Sequence, residues 1–584
     1  MRLISQTPPP GHEHTLAPHN HPMRAPEYEE GRRSIDDHFA IFERLLTLGE
    51  AALRRRLYEG AGLFAQMAGH YAWLNHAGLF ASPRLERLLL GIGLKAIEAP
   101  SCPQTDSPDV GTPRSVLHVM SKAYPIGGHT RLVWRWIQLD AERSHSVALT
   151  NQGCVPVPER MTEAVRAAGT VIHILDQRAS GVVARARALR QIAESADQVV
   201  LHIHPYDVVP IIAFAGKLNS PRVILLNHAD HVFWAGKGVS DIVACYRDSG
   251  LRLSIERRGI GKERCMLLPI PLLPEKRTMS RGQAKKYLGL PEDAIVLLSV
   301  ADAYKYTPMG GPGFAETMAS VLEKRERAVL LVIGPHNRGQ WTEATRRAQG
   351  RMRVLGEQFD TDVFYQAADV YIDSFPFCGE TALLEAAVRD VAVVSYCQHP
   401  PGAEILCTSA PALPNRLFRA TNLTEFQKLL ARLIDDEAFR RSQGEYVKQA
   451  VLEVHSGDAW RRFLRDVYST AAVVAPVPVS VDETDDSAYK STSEVDVLLN
   501  WFHRSSGKSR GVDATIQAYI RRLPIGLRVW IWGKIAVRNR TLAPGLLLPE
   551  RLVARLERWL QGTPRRFYVN RAQFEGSLRD LLGS

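Results

Sequence analysis

The chain has no CxxC pair, no GxxxxGK[ST] phosphate loop and no apolar run of the roughly eighteen residues that a membrane span needs. Its seven cysteines (Cys102, Cys154, Cys245, Cys265, Cys378, Cys397, Cys407) are odd in number and scattered. They fit neither a disulfide framework nor a zinc site, and a reducing compartment is expected. The first residues, MRLISQTPPPGHEHTLAPHNHPM, lack the apolar core of a secretory leader. A cytoplasmic protein is expected, with peripheral contact at the inner face of a membrane left open. No helix-turn-helix, RRM or KH pattern accompanies the basic residues, so nucleic acid is not an expected partner.

What is present is globular. Of 584 residues, 45% are hydrophobic, 23% charged and 8% aromatic, which excludes a disordered, collagenous or coiled-coil chain. The length corresponds to about three to four folding units. Lys and Arg number 73 against 62 Asp and Glu, a net charge of +11. Residues 501–584 hold 16 basic against 5 acidic side chains, so this tail carries the whole excess.

Residues 1–33, rich in Pro and His, read as a disordered arm; His12, His14, His19 and His21 are too loosely spaced for a metal site. Ser34 with Asp37 resembles a capping box, and Phe39, Phe42, Leu45, Leu46 and Leu53 recur at helical spacing. A second helix is expected after Ser82-Pro83. Residues 34–110 are therefore read as a helical module. From 111 to 470 short β-branched runs alternate with helical segments in two series: SVLHVM, SVALT, VIHIL, VVLHI and RVILLN, then IVLLSV, AVLLVIG, DVYID and VAVVSY. Near-continuous apolar strands separated by helices imply parallel sheets covered on both faces. The Pro-rich stretch LPIPLLPEKR divides the series, giving two doubly wound Rossmann-like α/β domains, 111–275 and 276–470, facing across a cleft. Residues 471–493 read as a linker and 494–584 as a basic, helical C-terminal module. Its interleaved Trp and Arg residues (Trp501, Trp530, Trp532, Trp559; Arg521, Arg522, Arg528, Arg538, Arg555, Arg558) suit a helical core, an anionic membrane surface or an acidic glycan.

Four loops could carry chemistry. AYPIGGHTR places Gly127, Gly128, His129 and Arg131 after a strand, where glycine lets backbone approach a ligand. NHADHVFWAG puts His228, Asp230 and His231 at a strand's carboxyl end, where polar residues are costly unless paired or functional. SVADAYKYTP offers Lys305 to a departing diphosphate. DSFPFCGETALLEA brings Gly379, Glu380 and Thr381 to a helix N-terminus, with Glu385 one turn further on the same face. Amides there would hold phosphate oxygens, and Glu385 would accept from ribose hydroxyls.

On these motifs the chain resembles nucleotide-sugar-dependent glycosyltransferases of the GT-B fold over about residues 115–470. GGHTR is similar to the acceptor-side glycine loop of family 4, and FPFCGETALLEA with ADAYKYTP is similar to the O-GlcNAc-transferase-like branch. LGEQFDTDVFYQAADVYID is similar to the segment preceding the donor helix, in which backbone at Leu355 and Gly356 would hold the base. The resemblance implies a nucleotide diphosphate sugar donor, a UDP-sugar first, held by Lys305, Leu355, Gly356, Gly379, Glu380, Thr381 and Glu385. The acceptor would be a hydroxyl on a glycan, lipid-linked glycan or protein, with His129, His228 and Asp230 lining the reacting centre. Where family 4 enzymes carry the first of two glutamates, this chain has Phe377. No cofactor or metal is expected: Asp360-Thr361-Asp362 is explained as a helix N-cap, and Lys305 with the helix dipole offsets the leaving charge. The alternatives are a nucleotide-sugar epimerase of the same fold and a degenerate glycan-binding scaffold.

Overall fold

The computed structural model describes residues 25–98, 113–216, 221–274, 277–400, 402–413, 416–477, 484–520 and 522–529. Two parallel sheets dominate. The first comprises β1 (Ser115–Met120), β2 (Ser144–Leu149), β3 (Ile172–Ile174), β4 (Gln198–His202), β5 (Arg222–Asn227), β6 (Ile242–Cys245) and β7 (Cys265–Leu267), in the order β3-β2-β1-β4-β5-β6-β7. The second comprises β8 (Ile295–Val300), β9 (Ala328–Ile333), β10 (Met352–Val354), β11 (Val370–Ile372), β12 (Ala392–Tyr396) and β13 (Phe418–Ala420), in the order β10-β9-β8-β11-β12-β13. All recorded pairings are parallel, as the apolar runs predict: β9, AVLLVI, is buried along its whole length. In each sheet the order reverses beside the first strand, between β1 and β4 and between β8 and β11, and loops leaving these strands open a crevice.

The N-terminal helices α1 (Ala25–Arg54), α2 (Tyr58–Leu74) and α3 (Pro83–Ala96) share a core with the first sheet. Ser82 caps α3 by accepting from the Leu85 amide, with Pro83 in the first turn. Glu59 on α2 accepts from the amides of Val182, Val183 and Ala184, and Glu86 on α3 from those of Gly236, Lys237 and Gly238. Each carboxylate thus caps amides of the first domain.

Two readings of the chain's ends are corrected, and a third, the helical C-terminal module, is seen over residues 494–520. Residues 25–33 are helical, so Ser34 and Asp37 lie inside α1 and cap nothing; residues 1–24 lie outside the described ones. Gly31 explains the extension, because its face is covered by Val497 and its carbonyl accepts from Asn500 Nδ2. The supposed linker is tethered at both ends, although 478–483 lie outside the described residues. Helix α4 (Gly128–Leu139) follows β1, and residues 471–473 finish α5 (Gly457–Val473), the second domain's closing helix. Asp486 is fully buried, accepting from Ser82 Oγ at 2.6 Å and the Arg84 amide at 3.1 Å. The C-terminal residues 494–520 form α6 (Glu494–Ser505) and α7 (Val512–Ile520), with α6 packed on α1. Asp496 on α6 pairs with His76 at 3.0 Å and Arg257 at 2.8 Å, joining α6 to the N-terminal helices and the first domain. The terminal helices are therefore one layer; Arg521, Trp530, Trp532, Arg538, Arg555, Arg558 and Trp559 lie outside the described residues.

Two further features depart from expectation. Cys397 and Cys407 are disulfide-bonded, whereas the sequence suggested no disulfide. The closing helix α5 crosses back to the first domain, where Trp460 Nε1 donates to the Pro269 carbonyl and Tyr468 to Asp140.

Candidate functional site

The loops from the two sheets enclose a cleft of about 790 Å³. Gly127, Gly128, Arg131, His228 and Asp230 line it from the first domain, and Lys305, Gly379, Glu380, Thr381 and Glu385 from the second. His129, Leu355 and Gly356 are not among its lining residues.

The first wall begins at Gly127, which turns the chain into α4 at φ +116°, a conformation that favours glycine. At Gly128 a Cβ would stand 3.1–3.3 Å from the Thr381 side chain, so a larger residue would press on the opposite wall. His228 follows β5; its Nδ1–H donates to the Leu226 carbonyl at 3.3 Å, leaving Nε2 unprotonated. Burial lowers its pKa to about 4, against opposing effects of the Leu226 carbonyl and Asp230, so the imidazole is neutral near pH 7. His129 lies behind it, the rings tilted by 30° with centroids 4.2 Å apart, and its Nε2 is buried without a hydrogen-bond partner.

Asp230 does not act as the free base that the sequence allowed. Arg247 grips it at both oxygens (Nε to Oδ2 2.7 Å, Nη2 to Oδ1 2.9 Å). Burial would raise its carboxyl, yet Arg247 and then His231 hold it well below the ordinary range. Arg247 also reaches the carbonyls of Ile405 and Cys407 and the Glu380 carboxylate, so the pair joins the domains across the cleft floor. Arg258, within the RGIGKER segment, is fully buried and donates to the carbonyls of Asp230 and Val232.

On the second wall, Lys305 sits on the tight turn Ala303–Tyr306 after β8. Its Nζ donates to the Cys378 carbonyl at 2.6 Å and lies 4.5 Å from the Phe377 ring centroid. The helix over Glu380–Ala387 follows, and its N-cap Gly379 supplies no side chain to its first amides. Glu380 turns away from this end, accepting from the Ser409 amide at 2.8 Å. Phe377, in place of a carboxylate, packs among His231, Tyr304 and Phe502.

Glu385 is placed differently from the sequence expectation. It is buried and receives Arg131 Nη1 at 2.9 and 3.1 Å and Arg135 Nη2 at 2.8 Å, both from α4 of the other domain. Burial would raise its pKa, but Arg135 and Arg131 lower it below the usual value. A ribose would therefore meet a carboxylate already shared by two guanidinium groups. The base-holding role of Leu355 and Gly356 is corrected as well. The Leu355 amide donates to the Val332 carbonyl, the Gly356 amide to Pro335, and the Gly356 carbonyl accepts from Gly334. The Leu355 amide and both Gly356 groups are thus used within the sheet edge and the following turn, the Leu355 carbonyl accepts from Gln358 Nε2 at 2.9 Å, and Glu357, Gln358 and Phe359 line the cleft instead.

No protein-family model and no curated protein sequence matches this chain. Solved structures do. A glycosyltransferase from Rickettsia africae ESF-5 is 11% identical, covers 62% of this chain and 100% of its own, with a TM-score of 0.47. Anabaena Alr3699/HepE in complex with UDP and glucose is 12% identical over 61% of this chain and 100% of its own, TM-score 0.47. A Thermobaculum terrenum O-GlcNAc transferase mutant is 16% identical over 77% and 85%, TM-score 0.45. These are likenesses of backbone, and the functional reading rests on the cleft. The two parallel sheets, with loops of both lining one cleft, are the doubly wound α/β architecture that the sequence implied.

Sequence reasoning missed Arg247, Arg135, Phe359 and Lys508, and saw Tyr304 only as part of the SVADAYKYTP loop. Lys508, from the loop after α6, sits with Nζ 3.2 Å from the Tyr304 ring centroid. Burial first, then the neighbouring Lys305, lowers its pKa to about 8 against the attraction of Asp302. The Asp360 carboxylate accepts from the Asp362 amide at 2.9 Å and Asp362 pairs with Arg389, which accounts for the DTD segment as local structure. Among the described residues there is no cluster of three or more His, Cys, Asp or Glu placed to hold a metal, and no helix long and apolar enough to cross a membrane.

Proposed function

We propose that this chain transfers a sugar from a nucleotide diphosphate sugar, a UDP-sugar first, to an acceptor hydroxyl. The observation that carries the reading is the opposition of two unlike groups across one cleft. Lys305 and the uncapped helix at Gly379–Thr381 stand on one wall, and the neutral His228 imidazole stands on the other. The first set suits the negative charge that grows on a departing diphosphate. The second suits removal of the acceptor proton: Nε2 of His228 takes it as the hydroxyl oxygen attacks the anomeric carbon and the bond to the diphosphate breaks. Asp230 and Arg247 fix the loop that carries His228, and Phe377 with Tyr304 shields Lys305 from water. Arg131, from the first domain, spans to the Glu385 carboxylate and ties the two walls together. No metal is required in this scheme.

The test is product analysis with UDP-glucose, UDP-N-acetylglucosamine and UDP-galactose. Release of UDP with a sugar transferred to an acceptor or to water, lost in Lys305→Met, is the expected outcome. Conversion of the donor into its isomer without UDP release would assign an epimerase. Binding without any turnover would assign a scaffold.

A further inference from the structure

Beyond the cleft, the acceptor-side wall continues into a row of five rings. It starts at Tyr124, which lines the cleft and is 37% exposed. Tyr124 stacks on His204 with centroids 5.8 Å apart, and its hydroxyl lies 3.3 Å from His204 Nε2. His204 meets Tyr206 at 5.6 Å; Tyr206 then meets His70 at 4.3 Å and Trp73 at 5.2 Å, both on α2. His204, Tyr206, His70 and Trp73 are all partly exposed. The row runs from the loops after β1 and β4 onto the N-terminal helices, away from Lys305 and the donor helix.

Its polar edges are open. Among the described residues, the Tyr206 hydroxyl and Trp73 Nε1 have no protein hydrogen-bond partner, and His70 Nδ1 is buried without one. Positive charge flanks it: Lys122 Nζ lies 5.8 Å from the Tyr124 centroid, and Arg510 and Arg522 are near enough to His70 to lower its basicity after burial has done so. The acid beneath the row, Asp207, is buried and turned inward, accepting from Ser121 Oγ at 2.5 Å and from Thr150 Oγ1.

Rings with hydroxyl, indole and imidazole edges suit pyranoses, whose C–H faces lie on aromatic surface while their hydroxyls take up polar edges. A strand-like or helical peptide would need an open strand edge or an apolar helix groove, which the row does not offer, and a Pro-rich peptide, which can dock on aromatic rings, has no use for the cations that flank this row. We infer that this row holds the body of an oligosaccharide acceptor bearing anionic groups, with its terminal hydroxyl at His228. The acceptor role rests on the glycosyl-transfer reading; the sugar-binding surface does not.

The probes are tetragalacturonate, acidic, and cellotetraose, neutral, each titrated calorimetrically without nucleotide into the full chain and into Trp73→Ala, Tyr206→Ala and Tyr206→Phe. Tetragalacturonate is expected to bind at least tenfold more tightly than cellotetraose. Trp73→Ala and Tyr206→Ala are each expected to weaken it at least tenfold, and Tyr206→Phe to retain most of it. UDP affinity, measured in parallel, should not change in these variants, which also controls for folding. Absence of tetragalacturonate binding, or binding indifferent to both alanine variants, overturns the inference, as does a preference for cellotetraose. Tight binding of an unglycosylated peptide that both alanine variants abolish overturns it in favour of a polypeptide. If the wild type binds tetragalacturonate but not UDP, the donor reading fails while the sugar surface stands.

Discussion

The two walls of the cleft are built from different material. The second-domain wall is charged and comes from short contiguous segments: Lys305 from one turn, Gly379, Glu380, Thr381 and Glu385 from one helix start. The first-domain wall relies on glycine backbone and neutral imidazoles gathered from separate strands, and its charges are tied up in pairs: Asp230 with Arg247, and Arg131 and Arg135 with Glu385. In the proposed division of work one wall offsets phosphate charge with Lys305, which is partly shielded by Phe377 and still lines the cleft. The other wall takes the proton on His228, which is partly exposed to the cleft and uncharged near pH 7.

The strongest way to break this contrast is acid. His118, His129 and His202 are held well below the ordinary histidine value by burial, and His204 and His228 are lowered to about 3 and about 4 for the same leading cause. Groups with a depressed folded pKa bind protons more readily when unfolded. Stability is therefore complete above pH 6.5 and falls as pH drops toward 4, at on the order of 1.4 kcal/mol per group per pH unit. Urea unfolding at pH 7.5 and 5.5 should show a marked loss at the lower pH; equal midpoints would mean that the imidazoles are not buried neutral.

Glu385→Ala probes the junction of the walls. It leaves the buried Arg135 without its carboxylate, and a loss of about 3–5 kcal/mol in chemical denaturation is expected. A change below about 1 kcal/mol would show that the ion pair is exposed to solvent. His228→Asn should lower the transfer rate by about 10²–10⁴ while nucleotide affinity stays as in the wild type. The smallest effect should come from Lys508→Met. Because the ammonium is partly desolvated, its removal should raise the melting temperature at pH 7, and the gain should shrink as pH rises above about 8, where the wild-type lysine itself loses its proton in the folded state. A lower melting temperature would show that the contact with Tyr304 outweighs desolvation.

The same contrast explains what the sequence revealed. The longer strands were legible because parallel strands are mostly apolar, whereas β6, β7, β10 and β13, of three or four residues each, are too short to stand out; the helix over Glu380–Ala387 was legible because FPFCGETALLEA joins glycine and an apolar face in one segment. The start of α1 was hidden because Gly31 is covered by Val497, 466 positions away in SEQ numbering, and the tethering of 484–493 because Asp486 finds its partners on α3. Leu355 and Gly356 lie in the expected segment, yet pairing with β9 and its following turn uses their backbone groups. Glu385 was correctly placed on its helix, but its arginines sit on α4, and no spacing within one motif shows a contact between domains.

The central claim is that the walls divide the work, one holding the donor and the other taking the proton. Calorimetric titration of UDP into the wild type, Lys305→Met and His228→Asn tests it most directly. The account predicts that UDP binds the wild type and His228→Asn alike and binds Lys305→Met at least tenfold more weakly, about 1.4 kcal/mol. Equal binding by wild type and Lys305→Met, or no binding of UDP to any of the three, would contradict it.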